Sequence, residues 1–82
     1  MDANDLKNAH LYSAFNREQL SHSEKCGCFY CLKIFDPVII DDWCDGGQTA
    51  ICPYCHVDSV IADSELFPVC KDFLEQMYKF WF

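Results

Sequence analysis

Basic residues are scarce in this chain: six lysines and arginines stand against thirteen acidic residues in 82, a formal net charge of −7. The six cations, Lys7, Arg17, Lys25, Lys33, Lys71 and Lys79, are spread singly along the sequence. Nucleic-acid binding is disfavoured on that ground, because a phosphate-tracking surface draws its affinity from clustered cations that displace counterions. No low-complexity linker divides the chain, and glycine and proline number only three each. No apolar run approaches the ~18 residues that would cross a bilayer. The Gly-x-x-x-x-Gly-Lys of phosphate loops, the Gly-x-Gly-x-x-Gly of dinucleotide sites and the His-Glu-x-x-His of zinc hydrolases are all missing. The start, Met1 to Asp5, has neither a basic nor an apolar segment, so the expectation is a cytoplasmic protein with reduced thiols and no membrane association.

Cysteine and aromatic side chains, by contrast, are plentiful. Seven cysteines, 16% aromatic and 51% hydrophobic residues describe a packed globule rather than a disordered tail. A core of this size supplies only roughly 3–5 kcal/mol, so a chain of 82 residues gains from a metal, disulfides or a partner. The odd cysteine count argues against a disulfide framework. Two Cys-x-x-Cys pairs, Cys28-Phe29-Tyr30-Cys31 and Cys52-Pro53-Tyr54-Cys55, lie twenty residues apart and read as one four-thiolate zinc site. Two residues between cysteines let a tight turn bring both sulfurs to one ion, and two turns complete a tetrahedron. With zinc on four thiolates the net charge becomes about −9.

The remaining pattern predicts an α+β fold: a small antiparallel zinc ribbon with flanking helices, in one domain over residues 1–82. Residues 1–25 are expected to form an N-terminal helical arm, 26–61 the ribbon and 62–82 an amphipathic helix. Asn16 with Gln19 fits a capping box, and Phe15 with Leu20 a hydrophobic staple, for a helix over 17–25. Gly27 would end that helix in the left-handed conformation. Before it, a loose helical turn is expected around Leu6. Leu32 to Phe35, Gln48 to Ile51 and Val57 to Ile61 read as strands. Asp36-Pro37 suits the start of a helical turn that places Ile40 and Trp43 on one side, and Asp45-Gly46-Gly47 is a turn signal. Near Pro68 a helix should begin with Val69, Cys70, Phe73, Leu74, Met77, Tyr78, Phe80, Trp81 and Phe82 on its apolar half. That half is wider than one-sided docking requires, so one edge is expected to meet a protein partner or a second copy.

Cys26-Gly27-Cys28-Phe29-Tyr30-Cys31, Asp36-Pro37 with Trp43, Ala50 to Cys55, Asp58 to Ile61 and the closing Phe80-Trp81-Phe82 together resemble a family of small bacterial cytoplasmic zinc-ribbon proteins without an assigned activity. The resemblance covers roughly residues 8–82. It implies the ribbon fold and a bacterial origin. In such proteins a glycine commonly follows the second knuckle, where this chain has His56. The knuckles also resemble those of rubredoxin, in which four such sulfurs hold a redox-active iron. That reading is disfavoured where backbone N–H groups must turn toward sulfur, because Leu32 and His56 stand in place of permissive glycines.

Zinc ligands are therefore assigned to Cys28, Cys31, Cys52 and Cys55, with Cys26 as an alternative to Cys28. Cys44 and Cys70 are read as small buried hydrophobes. His56 is placed beside the knuckle in support of the ligands, and His10 and His22 are exposed or structural. Asp41, Asp42 and Asp45 around Trp43 read as a solvated acidic loop. Four thiolates leave no open position for water, so the zinc is structural and no catalytic residue is assigned. The expected function is non-catalytic protein binding, as a regulator, an adaptor or an inhibitor or immunity-type protein. An iron redox protein and a nucleic-acid-binding zinc ribbon are the alternatives.

Overall fold

The computed structural model describes all 82 residues, Met1–Phe82. Three helices, α1 (Ala3–His10), α2 (Arg17–Ser21) and α3 (Lys71–Trp81), flank five short strands. The strands are β1 (Cys26–Cys28), β2 (Ile34–Phe35), β3 (Trp43–Cys44), β4 (Thr49–Ala50) and β5 (Val60–Ala62). They form two antiparallel sheets, ordered β2-β1-β5 and β3-β4. This is the expected α+β arrangement of helices around a small ribbon.

In the larger sheet, β1 and β5 are buried on both faces, while Ile34 of the edge strand β2 is exposed. In the register of β1 with β5, Cys26 opposes Ala62, Gly27 opposes Ile61 and Cys28 opposes Val60. Side chains alternate across a strand, so Cys26, Cys28, Val60 and Ala62 join one apolar core with Leu20, Phe35, Ile40, Ala50 and Cys52. Ile61 belongs to the other core, with Leu6, Ala9, Phe29, Phe67, Val69, Phe73, Leu74 and Met77. Double burial produces continuous small or apolar runs rather than alternation, which is why Cys26-Gly27-Cys28 carries no strand signature in the sequence.

Gly27 does not end a helix. It sits in the middle of β1, where a β-carbon would lie 2.8 Å from Leu74 Cδ1 and 2.9 Å from Val69 Cγ1. Its lack of a side chain lets α3 approach the sheet. The helix expected over 17–25 is correspondingly short and stops at Ser21. Ser21 Oγ donates to Glu18 O and Ser23 Oγ to Gln19 O, so these hydroxyls bond back to carbonyls of the last turn. The chain then extends, and Lys25 O accepts from Asp63 N as the sheet begins.

Neither the capping box nor the staple forms. Phe15 is exposed and takes φ +51°, and the Asn16 side chain makes no capping bond. Asn16 is instead fully buried and ties three segments together: Nδ2 donates to Tyr12 O (3.1 Å) and Val60 O (2.8 Å), and Oδ1 accepts from Ala50 N (3.2 Å). A buried amide bonded in this way satisfies groups of both sheets. The arm before it is better ordered than a loose turn. Asp2 caps α1 by accepting from Asp5 N, while Leu6 and Ala9 enter the core.

Asp36 caps a 3-10 turn over Pro37–Ile39 as expected, accepting from Val38 N. Ile40 leaves that turn in extended conformation and Trp43 lies in β3, so the two share a core without sharing a helical face. Asp45, Gly46 and Gly47 all have positive φ and reverse the chain between β3 and β4. The strands expected over 48–51 and 57–61 narrow to Thr49–Ala50 and shift to Val60–Ala62, and the strand over 32–35 to Ile34–Phe35. Val69 precedes α3 in a loop, its N–H donating to Asp63 Oδ1 at 2.7 Å. Cys70 is the N-cap residue and is exposed rather than buried, because it stands before the first helical turn. Of the apolar half of α3, Phe73, Leu74 and Met77 are buried, whereas Tyr78, Phe80, Trp81 and Phe82 remain 38–57% exposed.

Candidate metal centre

Four sulfurs, those of Cys28, Cys31, Cys52 and Cys55, lie within 4.8 Å of one another. They come from two loops of the same construction. In the first, Leu32 N donates to Cys28 O (2.8 Å) and Cys28 N to Lys33 O (3.0 Å). In the second, His56 N donates to Cys52 O (2.9 Å) and Cys52 N to Val57 O (3.0 Å). The residue after each second cysteine has positive φ, +67° for Leu32 and +64° for His56. Each costs about 1–3 kcal/mol without glycine, and the repeated hydrogen bonds on either side hold it there. The objection to rubredoxin-type knuckles therefore falls, since Leu32 and His56 make the turn that glycine would make.

Across the two loops Cys28 Sγ is 3.6 Å from Cys55 Sγ and Cys31 Sγ is 3.7 Å from Cys52 Sγ. Sulfurs at the corners of a regular tetrahedron of ~2.3 Å metal–sulfur bonds are ~3.8 Å apart, so the spacing fits one tetrahedral ion. It is far from the ~2.05 Å of a disulfide, and all seven thiols are free. Cys28 and Cys52 are buried while Cys31 and Cys55 are partly open to solvent.

The electrostatics of the cluster distinguish its members. Burial pushes the Cys28 thiol up, but hydrogen bonds from Ser59 and the backbone N–H groups of Cys31 and Tyr30, with a further one to Cys55, outweigh it and leave Cys28 below the ordinary thiol range. Burial raises Cys31 and Cys55, and the neighbouring Cys28 charge adds to it; N–H groups of Lys33 and Val57 act in the opposite sense. Crowded thiolates repel, so all four ionise together only around a cation. The donor set of four soft sulfurs suits zinc or iron rather than magnesium or calcium.

Cys26 lies outside the cluster, so it does not replace Cys28. Its Sγ donates to Phe35 O at 3.5 Å, and burial followed by the nearby Cys52, Asp36 and Cys28 charges pushes its pKa up to about 12. Cys44 is half-buried in β3. His56 is exposed and supports the ligands through its backbone rather than its ring. His10 packs against Trp81 with ring centroids 4.2 Å apart and planes tilted by 40°, and His22 is exposed. Asp45 is a turn residue, accepting from Thr49 Oγ1 at 2.8 Å.

Sequence reasoning missed Ser59, a buried residue whose Oγ is 3.0 Å from Cys28 Sγ. No spacing rule marks it, because it reaches the cluster only through the pairing of β1 with β5. Comparison with protein-family models, with curated proteins and with solved structures finds no match. The four-cysteine cluster makes the chain a candidate metal-binding module. No helix is long and apolar enough to cross a membrane.

Proposed function

We propose that this chain is a non-catalytic zinc protein in which one zinc ion on Cys28, Cys31, Cys52 and Cys55 stabilises a protein-interaction module. The observation that carries the metal reading is the convergence of four sulfurs at tetrahedral spacing on two matched loops. Four thiolates fill the coordination sphere, and the surface hollows are walled by other residues, among them Arg17, Asp36 and Trp43. Supporting an interaction role is the aromatic edge of Tyr30, Tyr78 and Phe82, with Tyr30 and Phe82 ring centroids 4.9 Å apart beside the first knuckle. Exposed aromatic clusters are typical anchors of protein interfaces. An acidic chain of this kind could act as a regulator, adaptor or inhibitor by presenting carboxylates to a basic cleft. Resemblance to small bacterial cytoplasmic zinc-ribbon proteins points the same way.

A second reading, an iron redox protein like rubredoxin, is favoured by the left-handed Leu32 and His56 and the N–H groups beside the sulfurs. Elemental analysis with a visible spectrum separates the two. One zinc per chain and no visible absorption is the expected result; a coloured ferric protein supports the second reading. A metal-free protein, or Cys52→Ser melting like the parent, overturns both, since structural zinc contributes on the order of 10–16 kcal/mol.

A further inference from the structure

Ser59 follows β4 and immediately precedes β5, and it is almost wholly buried. Its backbone and its side chain do different things. Ser59 O accepts from Phe29 N at 3.0 Å, which fixes the residue across the sheet whatever its side chain. Its Oγ has one partner, Cys28 Sγ at 3.0 Å. A metal-bound thiolate has no proton to give, so with metal in place the hydroxyl must be the donor.

The two knuckles match in backbone but not in this contact. Cys28 and Cys52 occupy equivalent places and are both fully buried, yet Cys28 alone of the four sulfurs has a side-chain hydroxyl beside it, in addition to Tyr30 N at 3.4 Å. Four thiolates around a divalent cation carry a net −2, which a buried site must offset with donors. A hydrogen bond at sulfur withdraws electron density that the thiolate would otherwise give to the metal.

We propose that Ser59 is a positioning residue of the metal centre, its hydroxyl donating to the Cys28 thiolate so as to fix that sulfur's orientation and lower its electron donation to the bound ion. The proposal rests on the metal-site reading above. Its test uses the full chain loaded with Co²⁺, whose sulfur-to-metal charge-transfer band reports sulfur donation directly. Loss of the hydrogen bond raises the sulfur lone-pair energy, so Ser59→Ala should move the band to longer wavelength. Ser59→Thr, which keeps the hydroxyl, should restore the parent band.

An unmoved band in Ser59→Ala overturns the proposal, even if affinity falls, because affinity alone would follow from any packing defect. A parent protein that binds no Co²⁺ at four sulfurs overturns the metal reading itself, so the two failures are distinct. A second measurement holds even if Ser59→Ala does not fold. In the unmodified protein loaded with ¹¹³Cd²⁺, the Ser59 hydroxyl proton should exchange slowly and couple to the metal through sulfur. A rapidly exchanging, uncoupled proton overturns the proposal.

Discussion

Gly27→Ala should destabilise the protein although alanine is the better residue almost everywhere else. Gly27 has no positive φ, so its backbone accepts a β-carbon, and restricting the unfolded chain would by itself stabilise by about 0.4–1 kcal/mol. The obstacle is space. The new methyl would stand 2.8 and 3.2 Å from the two terminal carbons of Leu74 and 2.9 Å from Val69 Cγ1. Both neighbours are themselves buried, with 0% and 1% of their surface exposed, so neither has solvent to move into. Overpacking of this sort costs about 1–3 kcal/mol. Less the unfolded-state gain, the expected net loss centres on about 1.3 kcal/mol, equivalent to roughly 5–10 °C in Tm for a chain of this size. The measurement is thermal unfolding at saturating metal, followed by circular dichroism, with metal content checked in each sample. An unchanged or higher Tm would refute the reasoning, since it would mean that α3 stands off the sheet and that Gly27 serves no close approach.

Asn16→Ala should cost about 2–3 kcal/mol, because it strands Val60 O and Ala50 N in the interior; a melt within a degree or two of the parent would show that those groups find other partners. His56→Gly should bind metal as the parent does and be neutral to about 1 kcal/mol more stable, since it relieves a left-handed residue whose side chain is exposed; a loss of metal would reveal a role for the imidazole. Trp81→Ala should lower stability by about 2 kcal/mol, because the ring packs against His10 and its Nε1 donates to Leu6 O, joining α3 to α1. Phe82→Ala should cost less than about 1 kcal/mol and should weaken any self-association seen by light scattering; equal losses from the two substitutions would count against an aromatic edge reserved for a partner.

The sequence by itself determined what depends on local spacing. Two Cys-x-x-Cys turns bring together Cys28, Cys31, Cys52 and Cys55 because two intervening residues suffice to close a knuckle, and the structure gathers these same four sulfurs. Asp36 before Pro37, the turn at Asp45-Gly46-Gly47 and the helical period after Cys70 were legible for the same reason, since each rests on neighbours in the chain. What depends on distant partners was not. Asn16 and Gln19 match a capping box, but Val60 O and Ala50 N, more than thirty residues away, offer the buried amide better bonds. Gly27 reads as a helix terminator until β2 and β5 pair on either side of it and α3 crosses its bare face. Leu32 and His56 adopt a glycine-like backbone because the knuckle's hydrogen bonds outweigh a local preference of a few kcal/mol. Ser59 reaches Cys28 across thirty-one residues only through strand pairing. Tertiary contacts decided each of these, because cumulative burial and hydrogen bonding in the interior exceed the propensities that a short stretch of sequence can express.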